Sequence, residues 1–343
     1  MIYLAESRPN IPVIAEQWKT LLYEFLFKKR KPRLRLMCGS ECIKCSTYYD
    51  RMGASLDYIF KIKKLKPEEY QWLKNLLDYR SGLPMIILAD EKKMDSLAHE
   101  VKQKSKSVKD ILKEFFVKLY KDFTQSKMPN GMTIAHHFFY ELNIRTCPYC
   151  NRQYTFTIDN KHTKTAPEYD HFYDKAHYPL LAVSFYNLIP SCHTCNHIKG
   201  AKSGVKVNPY FSGFESVFRL VKEKNEALTK AELLKEVGHQ LALLKILSNK
   251  YQESNIDKGN IETFGLNNLY SMHDDYIKNI IEKVTAYNNT AQQALVEAFQ
   301  SAAYSPQQVF DFVWGKYLEI SQYENQPLSK LTKDILEQLG IQR

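Results

Sequence analysis

The sequence predicts an α+β fold that is mainly α, with a small strand–strand–helix core flanked by two helical regions. Three observations predict it. Apolar residues recur at helical spacing through residues 1–135 and again through 214–343. Between them, residues 136–213 turn to strand-like alternation and turn signals. Within that middle region two cysteine pairs, Cys147-Pro-Tyr-Cys150 and Cys192-His-Thr-Cys195, bracket the step Asp170-His171.

The elements follow in order. Trp18, Leu21, Leu22, Phe25 and Leu26 mark the first clear helix. Pro67 reads as a first-turn proline for a helix over 68–79, with Trp72, Leu73, Leu76 and Leu77 as its buried stripe. Ser107 is the expected cap of a helix over 108–123. Met128-Pro129-Asn130-Gly131 is a turn, and 133–142 a short helix leading to the first cysteine pair. Residues 153–158 alternate polar and apolar, which predicts a strand; 159–161 would turn the chain into a second strand over 168–172. A short helix opens at Cys195. Beyond residue 214, helices are expected over 231–251, 273–287 and 291–303, from Ser305-Pro306, and over 328–339 after Pro327.

Composition sets bounds on function. A chain of 343 residues with 44% hydrophobic and 25% charged residues has the make-up of a globular protein of two or three domains. A formal net charge of +10 favours polyanionic partners through counterion release, without identifying one. The amino-terminal Met1-Ile2-Tyr3-Leu4-Ala5-Glu6 lacks the charged-then-apolar order of a signal peptide. No stretch approaches the roughly 20 apolar residues of a membrane helix. The seven cysteines are clustered, not scattered as in a disulfide scaffold. The expectation is therefore a cytoplasmic chain, away from membranes, with metal-bound thiolates.

Each Cys-x-x-Cys places two sulfurs on one tight turn, and two such pairs suit one tetrahedral Zn²⁺ with Zn–S bonds of ~2.3 Å. Cys147, Cys150, Cys192 and Cys195 would fill all four positions, making the zinc structural. A redox pair or buried free thiols are the bland alternatives. Cys38, Cys42 and Cys45 fall within eight residues and leave a second metal site open, with no fourth ligand nearby.

His171 has the pKa range to take a proton from water near neutral pH. Asp170 would be an anionic oxygen ligand of Mg²⁺ or Mn²⁺, and Asn196, directly after Cys195, a neutral one. Neighbours in a strand point to opposite faces, so a bulge or turn would have to aim Asp170 and His171 at one site. Lys199, one helical turn after Asn196, could reach a phosphate. Asn187 could fix the loop that carries His171. His193 more simply hydrogen-bonds or faces solvent, His197 points about 100° away from Asn196, and His177, His136 and His137 read as ordinary loop or helix histidines. The run Lys28-Lys29-Arg30-Lys31-Pro32-Arg33-Leu34-Arg35 is either a solvated surface or a track for a phosphate backbone. The lysines of 102–109 read as the polar approach to a helix.

The string Asp170-His171, Asn187-Leu188-Ile189-Pro190-Ser191-Cys192 and Cys195-Asn196-His197-Ile198-Lys199-Gly200 resembles the HNH family of ββα-metal endonucleases, in its zinc-stapled branch. The resemblance covers 147–200. It implies His171 as general base, Asn187 as a structural residue and Asn196 as metal ligand, a His-Asn-Asn variant of the pattern. It also implies a zinc-stapled ββα-metal nuclease core acting on DNA or RNA. The whole chain, including Asn208-Pro209-Tyr210-Phe211 and Phe264-Gly265-Leu266-Asn267, resembles the HNH proteins of bacterial anti-phage operons such as the Septu type. That likeness implies an ATPase partner of the ABC/SMC-like class. Two other readings stand beside it: a zinc-knuckle module that binds nucleic acid or a partner without catalysis, and a nuclease silent until its partner binds.

Overall fold

A computed structural model describes residues 2–30, 34–38, 41–63, 65–160, 163–213, 216–221, 228–235, 243–247, 256–287, 289–300, 303–315 and 317–341. The chain is mainly helical with small two-stranded sheets. It divides into two compact units. One comprises Met1–Ser7, Ile144–Thr155 and Ser191–Arg343 and holds the four paired cysteines; the other comprises Arg8–Asn143 and Phe156–Pro190 and holds His171. We call them the cysteine unit and the histidine unit. Residues 136–213, expected as one core, contribute to both.

The histidine unit is organised around helix Ile11–Phe27, whose buried face is Ile11, Ile14, Ala15, Trp18, Leu22 and Leu26 at helical spacing. Trp18 is its centre. The indole meets Phe123 and Phe138 edge-on at 5.0 and 4.9 Å between ring centroids, and its Nε1 donates to the Val183 carbonyl at 3.0 Å. A hairpin of Leu34–Cys38 and Glu41–Cys45 follows, then helices Tyr48–Lys63 and Pro67–Leu77, the latter opening on its proline. Asp90 caps Glu91–Gln103 by accepting from the Lys93 amide at 2.8 Å.

The next cap is Ser105, not Ser107. Ser105 is extended and its Oγ accepts from the Val108 amide at 3.3 Å, so the helix starts at Lys106 and Ser107 falls inside its first turn. The expected single helix is Lys106–Leu112, a π-helical turn over Lys113–Val117, and Lys118–Thr124. Of its apolar stripe, Ile111, Leu112, Phe115, Phe116 and Leu119 are buried and Tyr120 is half-buried. Thr133 caps Ile134–Leu142, and Asn143 ends it in the left-handed region at φ 44°.

The strand expected over 153–158 does not form as a run. Tyr154 makes an isolated bridge to Thr146, and only Ile158–Asp159 pairs, with Lys164–Thr165. Tyr154, Phe156 and Ile158 are 51%, 47% and 40% exposed, so the alternation has no buried face to enforce it. Of the predicted turn, Asn160 accepts from the Thr163 amide at 2.6 Å, and Lys161 lies outside the described residues. The strand Glu168–His171 forms, but its partner is Leu188–Ser191.

In the cysteine unit the expected helix over 231–251 is a short helix, Lys230–Lys235, and a strand, Leu243–Leu247; residues 236–242 and 248–251 lie outside the described residues. That strand pairs antiparallel with Val217–Val221, Val217 opposite Leu247. A short apolar run carries no helix-or-strand preference of its own, and pairing decides it. Helices Ile256–Phe264 and Leu266–Tyr270 join through Gly265 at φ 59°. A Cβ on Gly259 would lie 2.2 Å from the Gly204 carbonyl oxygen, so glycine is what lets this helix approach the segment after the second cysteine pair. Buried Asn260 adds to that contact by accepting from the Lys206 and Val207 amides at 2.6 and 3.0 Å. Asp274–Ala286, Asn289–Gln300, Pro306–Trp314 under a Ser305 capping box, and Ser329–Gln338 complete the unit. Among the described residues no helix is long and apolar enough to cross a membrane.

Replacing Trp18 with Ala removes a side chain that is 1% exposed together with its carbonyl hydrogen bond. The expected loss is about 3–5 kcal/mol of stability, read as a lower urea midpoint; an unchanged midpoint contradicts this account of the histidine unit.

Candidate metal centre and histidine site

The four paired cysteines converge in the cysteine unit. Cys147, Cys150, Cys192 and Cys195 are all buried, and their sulfurs lie within 4.8 Å of one another, with Cys150 and Cys192 at 4.0 Å. Four sulfurs at ~2.3 Å around a tetrahedral zinc would be about 3.8 Å apart, so the quartet can hold a zinc ion. Local backbone makes this possible. The Asn151 amide donates to the Cys147 carbonyl at 2.8 Å, and the Asn196 amide to the Cys192 carbonyl at 3.0 Å, closing the same turn after each pair. Amides also face sulfur: Arg152 N lies 3.4 Å from Cys150 Sγ and Cys195 N 3.5 Å from Cys192 Sγ, which caps helix His193–Lys199. Burial pushes the Cys147 thiol up, while hydrogen bonds from the other three sulfurs hold Cys192 far down. A bound cation would favour the thiolate at every position. His193 is exposed, with its ring stacked 5.9 Å from that of His197.

The first cysteine turn is anchored by a residue the sequence analysis did not single out. Asn151 is 1% exposed and left-handed at φ 48°. Its amide donates to the Tyr323 and Gln326 carbonyls at 2.9 and 3.2 Å, its Oδ1 accepts from Lys330 N at 3.2 Å, and its carbonyl accepts from Leu328 N at 2.6 Å. The Tyr270 hydroxyl donates to the Cys150 carbonyl, and Tyr149 packs on Phe264 at 4.5 Å. Lys330 in turn forms a buried ion pair with Asp334 at 2.7 Å, and Asp334 accepts from Phe218 N at 2.9 Å. The signal in the sequence was the repeated Cys-x-x-Cys-Asn, in which both asparagines follow the second cysteine.

In the histidine unit, His171 ends its strand and is 6% exposed. Its Nε2 lies 3.2 Å from the Ala182 carbonyl oxygen. A carbonyl only accepts, so the neutral ring carries its proton on Nε2 and Nδ1 is the basic nitrogen. The Tyr120 ring packs edge-on against the imidazole at 4.7 Å. Asn187, fully buried, holds the connecting loop from both sides. Its amide donates to the Tyr173 and Leu181 carbonyls at 3.1 and 2.9 Å, its Oδ1 accepts from Tyr173 N at 2.7 Å, and its backbone carbonyl accepts from Phe172 N at 2.9 Å. The Leu181 contact fixes the residue before the Ala182 carbonyl. Asp170 is 2% exposed. His177 pairs with Asp174 at 2.9 Å, within its own turn.

The structure thus brings the four cysteines together, and in the other unit sets Asp170 and His171 consecutively in one strand, with Asn187 holding the adjoining loop. Asn196, half-buried, and Lys199 belong to helix His193–Lys199 of the cysteine unit. Lys199, expected at a phosphate, is fully buried. His136 faces the Thr133 cap at 3.0 Å, and His137 packs on Phe138. Cys45 is buried; the side chains of Cys38 and Cys42 lie outside the described residues, as do Lys31, Pro32 and Arg33 of the basic run. Arg30 of that run lies over the Phe25 ring at 4.6 Å. Among the described residues the cysteine quartet is the one cluster of metal-ligating side chains. No family model, curated protein or solved structure matches the chain.

Elemental analysis of the purified chain is expected to give one zinc per molecule, with Cys147→Ser and Cys192→Ser each losing it; full retention by both variants contradicts the quartet. Asn151→Ala leaves the sulfurs in place but strands the Lys330 amide, at an expected cost of about 1–3 kcal/mol in a urea titration.

Proposed function

We propose that the chain is a metal-dependent HNH endonuclease that hydrolyses phosphodiester bonds, in DNA in preference to RNA, as the effector of a bacterial anti-phage system with an ABC/SMC-like ATPase partner. The observation that carries the reading is the His171 imidazole, held through Nε2 by the Ala182 carbonyl in a loop that Asn187 pins on both sides. A general base needs a defined tautomer and orientation, and this arrangement supplies both. The net charge of +10 supports a polyanionic substrate.

In this mechanism His171 Nδ1 takes a proton from water as the water oxygen attacks phosphorus, the P–O3′ bond breaks, and the leaving oxygen is protonated from solvent. The Asp170 carboxylate is a hard oxygen donor of the kind that holds Mg²⁺ or Mn²⁺. Such a cation, when bound, neutralises charge on the phosphate and the leaving oxygen. A zinc held by Cys147, Cys150, Cys192 and Cys195 would have a separate role: with four sulfur ligands it would leave no open position for water, so it would brace the cysteine unit and take no part in hydrolysis.

His171→Ala is expected to lower cleavage about 10²–10⁴-fold with fold and zinc content unchanged; cleavage at the parent rate removes His171 as the base. Zinc with salt-sensitive nucleic-acid binding, and no cleavage in Mg²⁺ or Mn²⁺ with or without the ATPase, would instead make the chain an adaptor.

A further inference from the structure

Beside His171 lies a cation that neither the motif nor the sequence analysis assigned. Lys175 sits in the loop that Asn187 pins, and its Nζ lies 5.1 Å from the centroid of the Tyr120 ring. That ring packs against the His171 imidazole at 4.7 Å, so one aromatic side chain is shared by the candidate base and the lysine. A lysine over a tyrosine lays its apolar stem on the ring and keeps its charged tip toward water. Lys175 is exposed, and its ammonium makes no hydrogen bond or ion pair with the described residues. The packed surroundings push its pKa down while the Asp170 charge pushes it up, which marks Asp170 as its charged neighbour. Lys199, by contrast, is fully buried, and Lys330 is committed to Asp334.

We propose that Lys175 binds the scissile phosphate, its ammonium donating to a non-bridging oxygen while His171 activates the attacking water. This rests on the nuclease reading above. A point charge on a flexible stem, seated on a ring that also positions the base, suits a phosphate whose charge is redistributed as the P–O3′ bond breaks. Tyr120 is a positioning residue in this scheme. Burial pushes its phenol pKa up, so it stays a neutral platform.

Lys175→Met tests the proposal, because methionine keeps an apolar cover on Tyr120 and removes the charge; Lys175→Gln is the second variant should the first not fold. In the parent chain, Lys175→Met is expected to lower kcat/KM for a duplex DNA oligonucleotide at least about tenfold, with the urea midpoint unchanged and Lys175→Arg restoring most of the rate. In the His171→Ala background, where the DNA stays intact, it should reduce the slope of log binding constant against log salt by about one, the signature of one lost phosphate contact. An unchanged slope and rate in a folded variant overturn the proposal. A parent chain that cuts no nucleic acid with or without the ATPase sinks the nuclease reading, and the salt slope then still decides whether Lys175 meets phosphate.

Discussion

Four sulfurs within 4.8 Å of one another in a buried position form the constraint on which the cysteine unit depends. Thiolates packed this closely repel, and thiols packed this closely waste polar contact; a tetrahedral cation resolves both. The turns that assemble the quartet are local and nearly identical, each closed by the amide of an asparagine onto the carbonyl of its first cysteine. From the first turn the constraint spreads outward. Asn151 ties it to the segment before helix Ser329–Gln338, and Lys330 and Asp334 carry the tie on to the strand Val217–Val221. From the second turn springs helix His193–Lys199, which carries Asn196. A zinc held by the quartet would therefore link metal binding to folding in this unit, since the bonds that hold the knuckle are those that dock the C-terminal helix.

The histidine unit is ordered by packing and backbone polarity. An indole, two phenylalanines and the Val183 carbonyl fix helix Ile11–Phe27 against the loop Pro179–Val183, and the next carbonyl back, that of Ala182, orients His171. The same loop is held from inside by Asn187. One side-chain amide, with both its donor and its acceptor used, does what a strand partner would do elsewhere. The imidazole is preorganised by packing and backbone polarity before any substrate arrives, which is the physical basis for giving it the role of base.

What the sequence revealed tracks how local the cause is. Caps, first-turn prolines and amphipathic stripes act within a few residues, so Trp18, Pro67 and the Thr133 helix could be read directly. The cysteine spacing was readable for the same reason, because each turn closes on itself. The failures were non-local. The alternation at Tyr154, Phe156 and Ile158 looks like a strand but has no surface to bury against. Leu243–Leu247 looks helical until Val217–Val221 pairs with it. Asn151 and Lys175 were passed over because their meaning lies in partners over 170 and about 55 positions away in the chain, respectively. Ser105 displaced Ser107 by two positions, a margin that propensity alone does not resolve.

The most direct test of the proposed metal sites is anomalous diffraction at the manganese and zinc edges from crystals grown in Mn²⁺. A zinc peak is expected among the sulfurs of Cys147, Cys150, Cys192 and Cys195, with a separate manganese peak at the Asp170 carboxylate. Manganese absent from Asp170, or found only among the sulfurs, would contradict the account.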